Sequence, residues 1–299
     1  MRPLRTALWC VATPLVLVTA GAGAAWLWSD TDTSLATSLA LAQRALPAGQ
    51  TLEASGVTGS VRQGGRMERL RWEGAGLRID ARDVELTWSW RALLDGAWQV
   101  NSLSIAKLNI DDQRPPTAGP ASPPPDDLSL PVRVDAKFAV GELHLTGKTE
   151  LVASAIAGNY VFDSKQHRVI GGSGRISSGS YRFAADLQAT APQRLTAQLD
   201  GTVQTALPGR KEPIEVVAHA SVVGALAGQN ASLDVQASLI PPTAQAMQAQ
   251  ATARIQPWSV QPLVQAQAQW QSLDLATLWP QAPRTRLSCQ AAVTPDGDA

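Results

Sequence analysis

The chain has 299 residues, with 25 basic and 25 acidic side chains and a hydrophobic fraction of 44%. That length admits one large or two medium domains, and the balanced charge removes the basic surplus that a duplex-binding protein carries, so nucleic acid is not expected as a partner. The apolar content leans on alanine, with three Phe, two Tyr and three Met against ten Trp, which is thin for the core of a compact globule of this size.

The N-terminus carries the clearest local signal. "MRPLRTALWCVATPLVLVTAGAGAAWLWSD" has Arg2 and Arg5, then no charge from Thr6 to Ser29. At the helical rise, the residues from Ala7 to Trp28 reach roughly 30 Å, the hydrocarbon thickness of a bilayer. Leu8, Trp9, Leu15, Val16, Leu17, Trp26 and Trp28 are the expected anchor residues, with the two last Trp at the far interface. Basic residues before the segment and Asp30 and Asp32 after it predict a cytoplasmic start and a translocated body. A signal peptide cleaved at the small residues of "AGAGAA" is the competing reading, and a buried core helix is the third. Cys10 lies inside this segment without the small residues that precede a lipid-modified cysteine, and Cys289 lies far away, so no disulfide framework is available.

"SDTDTSLATSLALAQRALPAGQ" places Leu35, Leu39, Ala42 and Leu46 at helical spacing. Asp32 or Thr33 can cap the start, and Pro47 and Gly49 end it. The helix either packs on the first strands or lies against the membrane; its polar face lacks the Lys and Arg of a surface-bound helix. From Thr51 the chain reads as strand after strand with glycine-containing turns, which argues for an antiparallel all-β architecture. In "LRIDARDVELTWSW", Leu77, Ile79 and Ala81 alternate with charged residues, and after a one-residue slip at Asp83 the alternation resumes with Val84, Leu86, Trp88 and Trp90. The slip reads as a bulge or turn that keeps the apolar residues on one face. "WRALLDG" and "LDLATLW" are possible helical turns.

"RPPTAGPASPPPDD", residues 114–127, has no apolar periodicity and reads as an exposed, partly extended loop inserted in one continuous sheet, with a domain boundary as the alternative. Beyond it, strands such as "RLTAQLDGTVQT" and "ASLDVQASLI" offer apolar faces of low volume. A sheet folded lengthwise into a trough with an apolar filling needs such a lining, and an alanine-rich β-sandwich fits the same pattern. The expected division is a cytoplasmic tip and signal anchor at 1–30, an amphipathic helix at 31–50, and an elongated sheet at 51–299.

No catalytic constellation, metal site or cofactor motif is found. His144, His167 and His219 are scattered and read as solvated strand residues. "GGSGRISSG", residues 171–179, lacks the Lys and the following helix of a phosphate loop, and reads as a hairpin turn.

The stretch "SGVTGSVRQGGRMERLRWEGAGLRIDARDVELTWSWRALLDGAWQVNSLSIAKLNID" resembles the N-terminal part of the TamB family, the inner-membrane subunits of the translocation and assembly module, within the wider AsmA-like group. The "TGS" turn, the "GGRMERLRW" and "LRIDARDVELTW" strands, the "RALLDG" turn and the "SLSIAKLNI" strand running into a proline-rich loop carry the resemblance. The resemblance implies a single-pass inner-membrane protein with a periplasmic β-taco, a long antiparallel sheet enclosing a hydrophobic groove. It also implies phospholipid transport toward the outer membrane, and assembly and secretion of outer-membrane β-barrel proteins with TamA. Family members are far longer, so the chain reads as a fragment or truncated product whose TamA-like partner would be met through the missing C-terminal region. On this reading Leu77, Ile79, Leu86, Trp88, Leu103 and Ile105 line the groove and touch acyl chains, no cofactor is needed and no enzyme is expected. A scaffold that templates β-strands along an exposed sheet edge, and a membrane-anchored structural β-protein, are the other readings.

Overall fold

The computed structural model describes residues 25–114, 123–147, 150–177, 179–205, 214–228, 231–240, 248–273, 285 and 287–294. Among the described residues the protein is mainly β, with one open sheet of fifteen strands and no second sheet packed on it. The N-terminal part contains helix α1 (Ser34–Ala45) and strands β1 (Gln50–Ser55), β2 (Thr58–Ser60), β3 (Gly64–Gly74) and β4 (Leu77–Ser89). The short helix α2 (Trp90–Leu94) and β5 (Ala97–Asp112) follow. The sheet continues through β6 (Arg133–Gly147), β7 (Leu151–Phe162), β8 (Gln166–Ile176), β9 (Gly179–Gln188) and β10 (Arg194–Thr205). It ends with β11 (Ile214–Ala225), β12 (Ser232–Ile240), β13 (Gln248–Ile255), β14 (Leu263–Leu273) and β15 (Leu287–Val293). Strand follows strand in sequence order, with β2 set aside as a short partner of β3.

Among the described strands every pairing is antiparallel but one. β5 and β6 run parallel, Leu103 opposite Phe138 and Ile105 opposite Val140. This departs from the uniform antiparallel sheet expected from sequence, and the proline-rich stretch explains it. Parallel neighbours need a connection that travels back the length of a strand. β5 has 16 residues, roughly 50 Å. The 20 residues 113–132 between the two strands can span roughly 60 Å in the extended conformation that proline favours. The loop is therefore a return path within one sheet.

The last part of that return is tied down. Leu128 N–H donates to Ala189 O at 2.8 Å, Ala191 N–H to Asp126 O at 2.8 Å, and Gln193 Nε2 to Pro125 O at 2.5 Å. Residues 125–128 thus form a strap across the β9–β10 turn. Beneath it Val134, Phe162 and Ala189 form one of two small buried clusters. The other consists of Met67, Ala81 and Val84, against which Leu39 of α1 packs together with Leu70, Leu103, Ile105 and Leu108. Helix α1 therefore lies on the apolar face of the first strands, the first of the two placements the sequence left open.

The slip at Asp83 is a backbone irregularity with φ of +49°. Ala81 and Val84, one on each side of it, are both buried in the same cluster, so the expected bulge keeps the apolar side chains together. "WRALL" forms α2, whereas most of "LDLATLW" falls outside the described residues. The hairpin turn expected across residues 171–179 is instead mostly strand: β8 runs to Ile176 with a register shift between Val169 and Gly172, and a turn follows at Ser177.

Candidate functional site

Residues directly opposite each other in neighbouring strands share a face of the sheet. One file of such pairs runs unbroken from β4 to β15. Trp88 stands opposite Val100, Val100 opposite Ala136, and Ala136 opposite Tyr160. Tyr160 faces Val169, Val169 faces Ala185, and Ala185 faces Ala197. The file continues through Val222, Val235, Ala253 and Ala266 to Val293. At the interstrand spacing it extends roughly 50 Å. Its polar side-chain groups are the Trp88 indole N–H and the Tyr160 hydroxyl, which lies 2.7 Å from His167 Nδ1.

A parallel file lies beside it: Gly65, Leu86, Leu103, Phe138 and Gly158, then Gly172, Phe183, Leu199 and Ala220. It is extended by Ala237, Ala251, Ala268 and Ala291. The aromatic rings in it lie down over glycines. A Cβ on Gly172 would meet the Phe183 ring at 2.4 Å, and one on Gly158 would meet Phe138 at 2.9 Å. The rings are thereby kept low on the face.

The opposite face carries a polar file across β8–β15. Ser173, Arg182, Asp200, His219, Ser238, Gln250, Gln269 and Gln290 form one such file. In β9 the side chains after Gly179 alternate between half-buried and exposed, and none is fully buried. Away from α1 and the strap the apolar face is half open, with no second layer upon it among the described residues. This is a continuous apolar surface of a size that soluble monomers rarely leave uncovered.

The six residues singled out from sequence lie on this face. Leu86 is opposite Leu103, Ile105 opposite Val84, and Ile79 opposite Ile110, while Leu77 stands near the far end between Gly74 and Asp112. Trp88 is more constrained than expected. Its Nε1 donates to Val61 O at 2.8 Å, and its ring meets Trp98 edge-on at 6.3 Å. Of the expected anchor residues, Leu8, Trp9, Leu15, Val16 and Leu17 lie outside the described residues. Trp26 and Trp28 lie in or beside a helical turn at 25–28 and are exposed. Among the described residues no helix is long and apolar enough to cross a membrane.

Sequence reasoning found apolar faces in β10 and β12 but not the register that joins them into one file across β10–β15, because its members are a dozen or more residues apart in the chain. It also misjudged His167. This ring is stacked 4.6 Å from Phe162, and its Nε2 lies 3.2 Å from Leu128 O. A carbonyl only accepts, so Nε2 carries the proton and Nδ1 accepts from the Tyr160 hydroxyl. Burial raises the Tyr160 pKa. His167 is a clip for the strap. His219 lies 2.6 Å from Asp200 on the polar face, and His144 lies 3.7 Å from Glu142. Among the described residues no group of three His, Cys, Asp or Glu is placed to hold a metal ion.

Charges concentrate on the outer face of β3–β5. Arg69 donates twice to Asp80, at 2.9 and 2.5 Å, and Arg78 pairs with Glu73 at 3.1 Å. Arg66 pairs with Glu85. The guanidinium of Arg69 holds the Asp80 carboxyl below its ordinary range, and that of Arg78 does the same for Glu73.

The match to a known family falls on this part of the chain. No curated protein and no solved structure matches. Residues 22–157 match the family model described as TamB, N-terminal domain. That span takes in α1, β1–β6 and the first half of β7, with the start of both apolar files. Over residues 22–157, this chain is similar to the N-terminal domain of TamB.

Proposed function

We propose that the chain is a TamB-like protein, anchored in the inner membrane with its body in the periplasm. Its sheet is folded lengthwise into a β-taco, and the apolar face forms a groove along which phospholipid moves toward the outer membrane. The observation that carries this reading is the unbroken apolar file from Trp88 to Val293. An acyl chain laid along it exchanges water for hydrocarbon contact at every step, worth about 0.8 kcal/mol per buried methylene. A uniform file offers no deep trap, so a lipid can shift from strand to strand at nearly constant free energy. The process needs no catalytic group and no cofactor.

A test is to interrupt the file with charge. Ala253→Asp on β13 places a carboxylate on the apolar face, where its neighbours are Val235 and Ala266; Thr252→Asp places the same group on the polar face, opposite Gln236 and Gln267. Phospholipid delivery to the outer membrane in cells carrying the full protein should fall with the first substitution and not with the second. Equal delivery by both variants would contradict the conduit.

A second reading is a scaffold that assists assembly and secretion of outer-membrane β-barrel proteins with TamA. It is favoured by a different surface. β15 closes the described sheet with all its side chains exposed, and such an edge can add a client strand through backbone hydrogen bonds. Proline placed along β15 would impair this activity while leaving the apolar file intact.

A further inference from the structure

Large exposed apolar side chains gather at one corner of the sheet. Trp26, Leu27 and Trp28 stand beside the first described turn, Leu93 and Leu94 end α2, and Trp98 opens β5. Leu27 and Leu94 are 73% and 78% exposed. The two parts of the patch are joined. Trp26 meets Trp90 of α2 edge-on at 4.6 Å, with the Arg62 guanidinium 3.8 Å from the Trp26 ring centre and 5.2 Å from that of Trp90. Arg62 is also held by Asp30 at 3.2 Å. The corner is therefore built to one shape, although its apolar side chains face solvent.

We infer that this corner is a membrane-docking collar, and that its occupant is the interfacial layer of a phospholipid bilayer. Two observations select that occupant. The uncharged run from Thr6 to Ser29 leads directly into Trp26–Trp28, so the chain enters the described structure at the patch itself. The patch is also made of Trp and Leu, side chains that settle at the boundary between headgroups and acyl chains. Arg62 and Arg91 are accompanied by Asp30 and Asp95, so apolar burial dominates and docking should persist on zwitterionic as well as anionic lipid. Docking would hold the beginning of the long apolar file, at Trp88 beside Trp98, against the bilayer surface. It uses side chains other than the rest of those files and does not depend on whether lipid or protein occupies them.

The experiment uses the full chain, with Cys10 and Cys289 replaced by Ser, reconstituted into phosphatidylethanolamine–phosphatidylglycerol vesicles and recovered by flotation. A nitroxide is attached in turn through Leu94→Cys, Leu27→Cys and Val260→Cys, and its collisions with oxygen and with a water-soluble nickel chelate are compared. Val260 is 80% exposed and follows β13, roughly 40 Å from β5 across the sheet. All three side chains are exposed, so the labels should not disturb the fold. The expected result is loss of nickel collisions at positions 27 and 94, with full nickel access at 260. Nickel access at 94 with protection at 27 would overturn the collar, since only the end of the N-terminal segment would then be in lipid. Protection at all three positions, or a chain that fails to float, would overturn it as well.

Discussion

The two ends of the sheet follow one alternating pattern with different side chains. In β3–β5 the apolar face carries Met67, Leu70, Val84, Leu103, Ile105 and Leu108, and the outer face carries interlocked Arg, Asp and Glu. In β12–β14 the corresponding faces carry Ala237, Ala251 and Ala268 on one side and Gln236, Gln250 and Gln269 on the other. Large side chains at the first end reach one another and α1, forming a small core. Alanine at the second end cannot reach across, so the ladder of backbone hydrogen bonds holds the strands and the apolar face stays open. Both ends are apolar, but only the first is packed.

The sharpest way to break this comparison is to place one charge at each end. Val84→Asp puts a carboxylate at a site only 3% exposed, and should destabilise the first strands by about 3 kcal/mol or more. Ala251→Asp, at an exposed position, should cost within about 0.5 kcal/mol. Hydrogen exchange resolved by strand would read both, and equal losses would show that the two ends are packed alike.

A smaller effect is expected between them. Gly172→Val would drive the Phe183 ring upward, at a cost of about 1–3 kcal/mol for overpacking. The double change Gly172→Val with Phe183→Ala should recover most of that loss in a denaturant titration. Next comes the strap. Gln193→Ala removes the donor to Pro125 O and should cost about 1 kcal/mol, with raised exchange at the Leu128 and Ala191 amides and none near β3–β5.

Acid sharpens the same contrast. Asp80 and Glu73 titrate below their ordinary values. Their contribution is present at neutral pH and is lost as the pH falls through the folded-state values, which lie below the ordinary carboxylate range. The pairs are largely solvated, so the effect is the smallest of the set. Amide protection in β3 and β4 should decline in that window and recover on return to neutral pH. Protection unchanged by acid in those strands would mean that the ion pairs contribute nothing there.

Much of this was legible in the amino-acid sequence because alternation is local. Leu77, Ile79, Leu86 and Trp88 could be placed on one face from their spacing, and the slip at Asp83 from the change of phase. Strand direction has no such signature. The parallel pairing of β5 and β6 was encoded only in the length and proline content of the connection. Nor could the strap be read, since it depends on Pro125 and Leu128 meeting Gln193 and Ala189, more than 60 residues onward. His167 looked like any polar strand residue until the strap supplied its partner. The long files were out of reach for the same reason: the step from Ala185 to Ala197 or from Ala197 to Val222 follows from register, which residue type alone does not fix.

The central claim is that the apolar face holds lipid, and the most direct measurement is photo-crosslinking in cells. Benzoylphenylalanine, a phenylalanine extended by a benzoyl group, is placed at Phe138 and Phe183, and separately on the polar face at Arg182 and Ala184. The account expects phospholipid adducts at 138 and 183 and none at 182 and 184. Protein adducts alone at 138 and 183, or lipid adducts equally at all four positions, would contradict it.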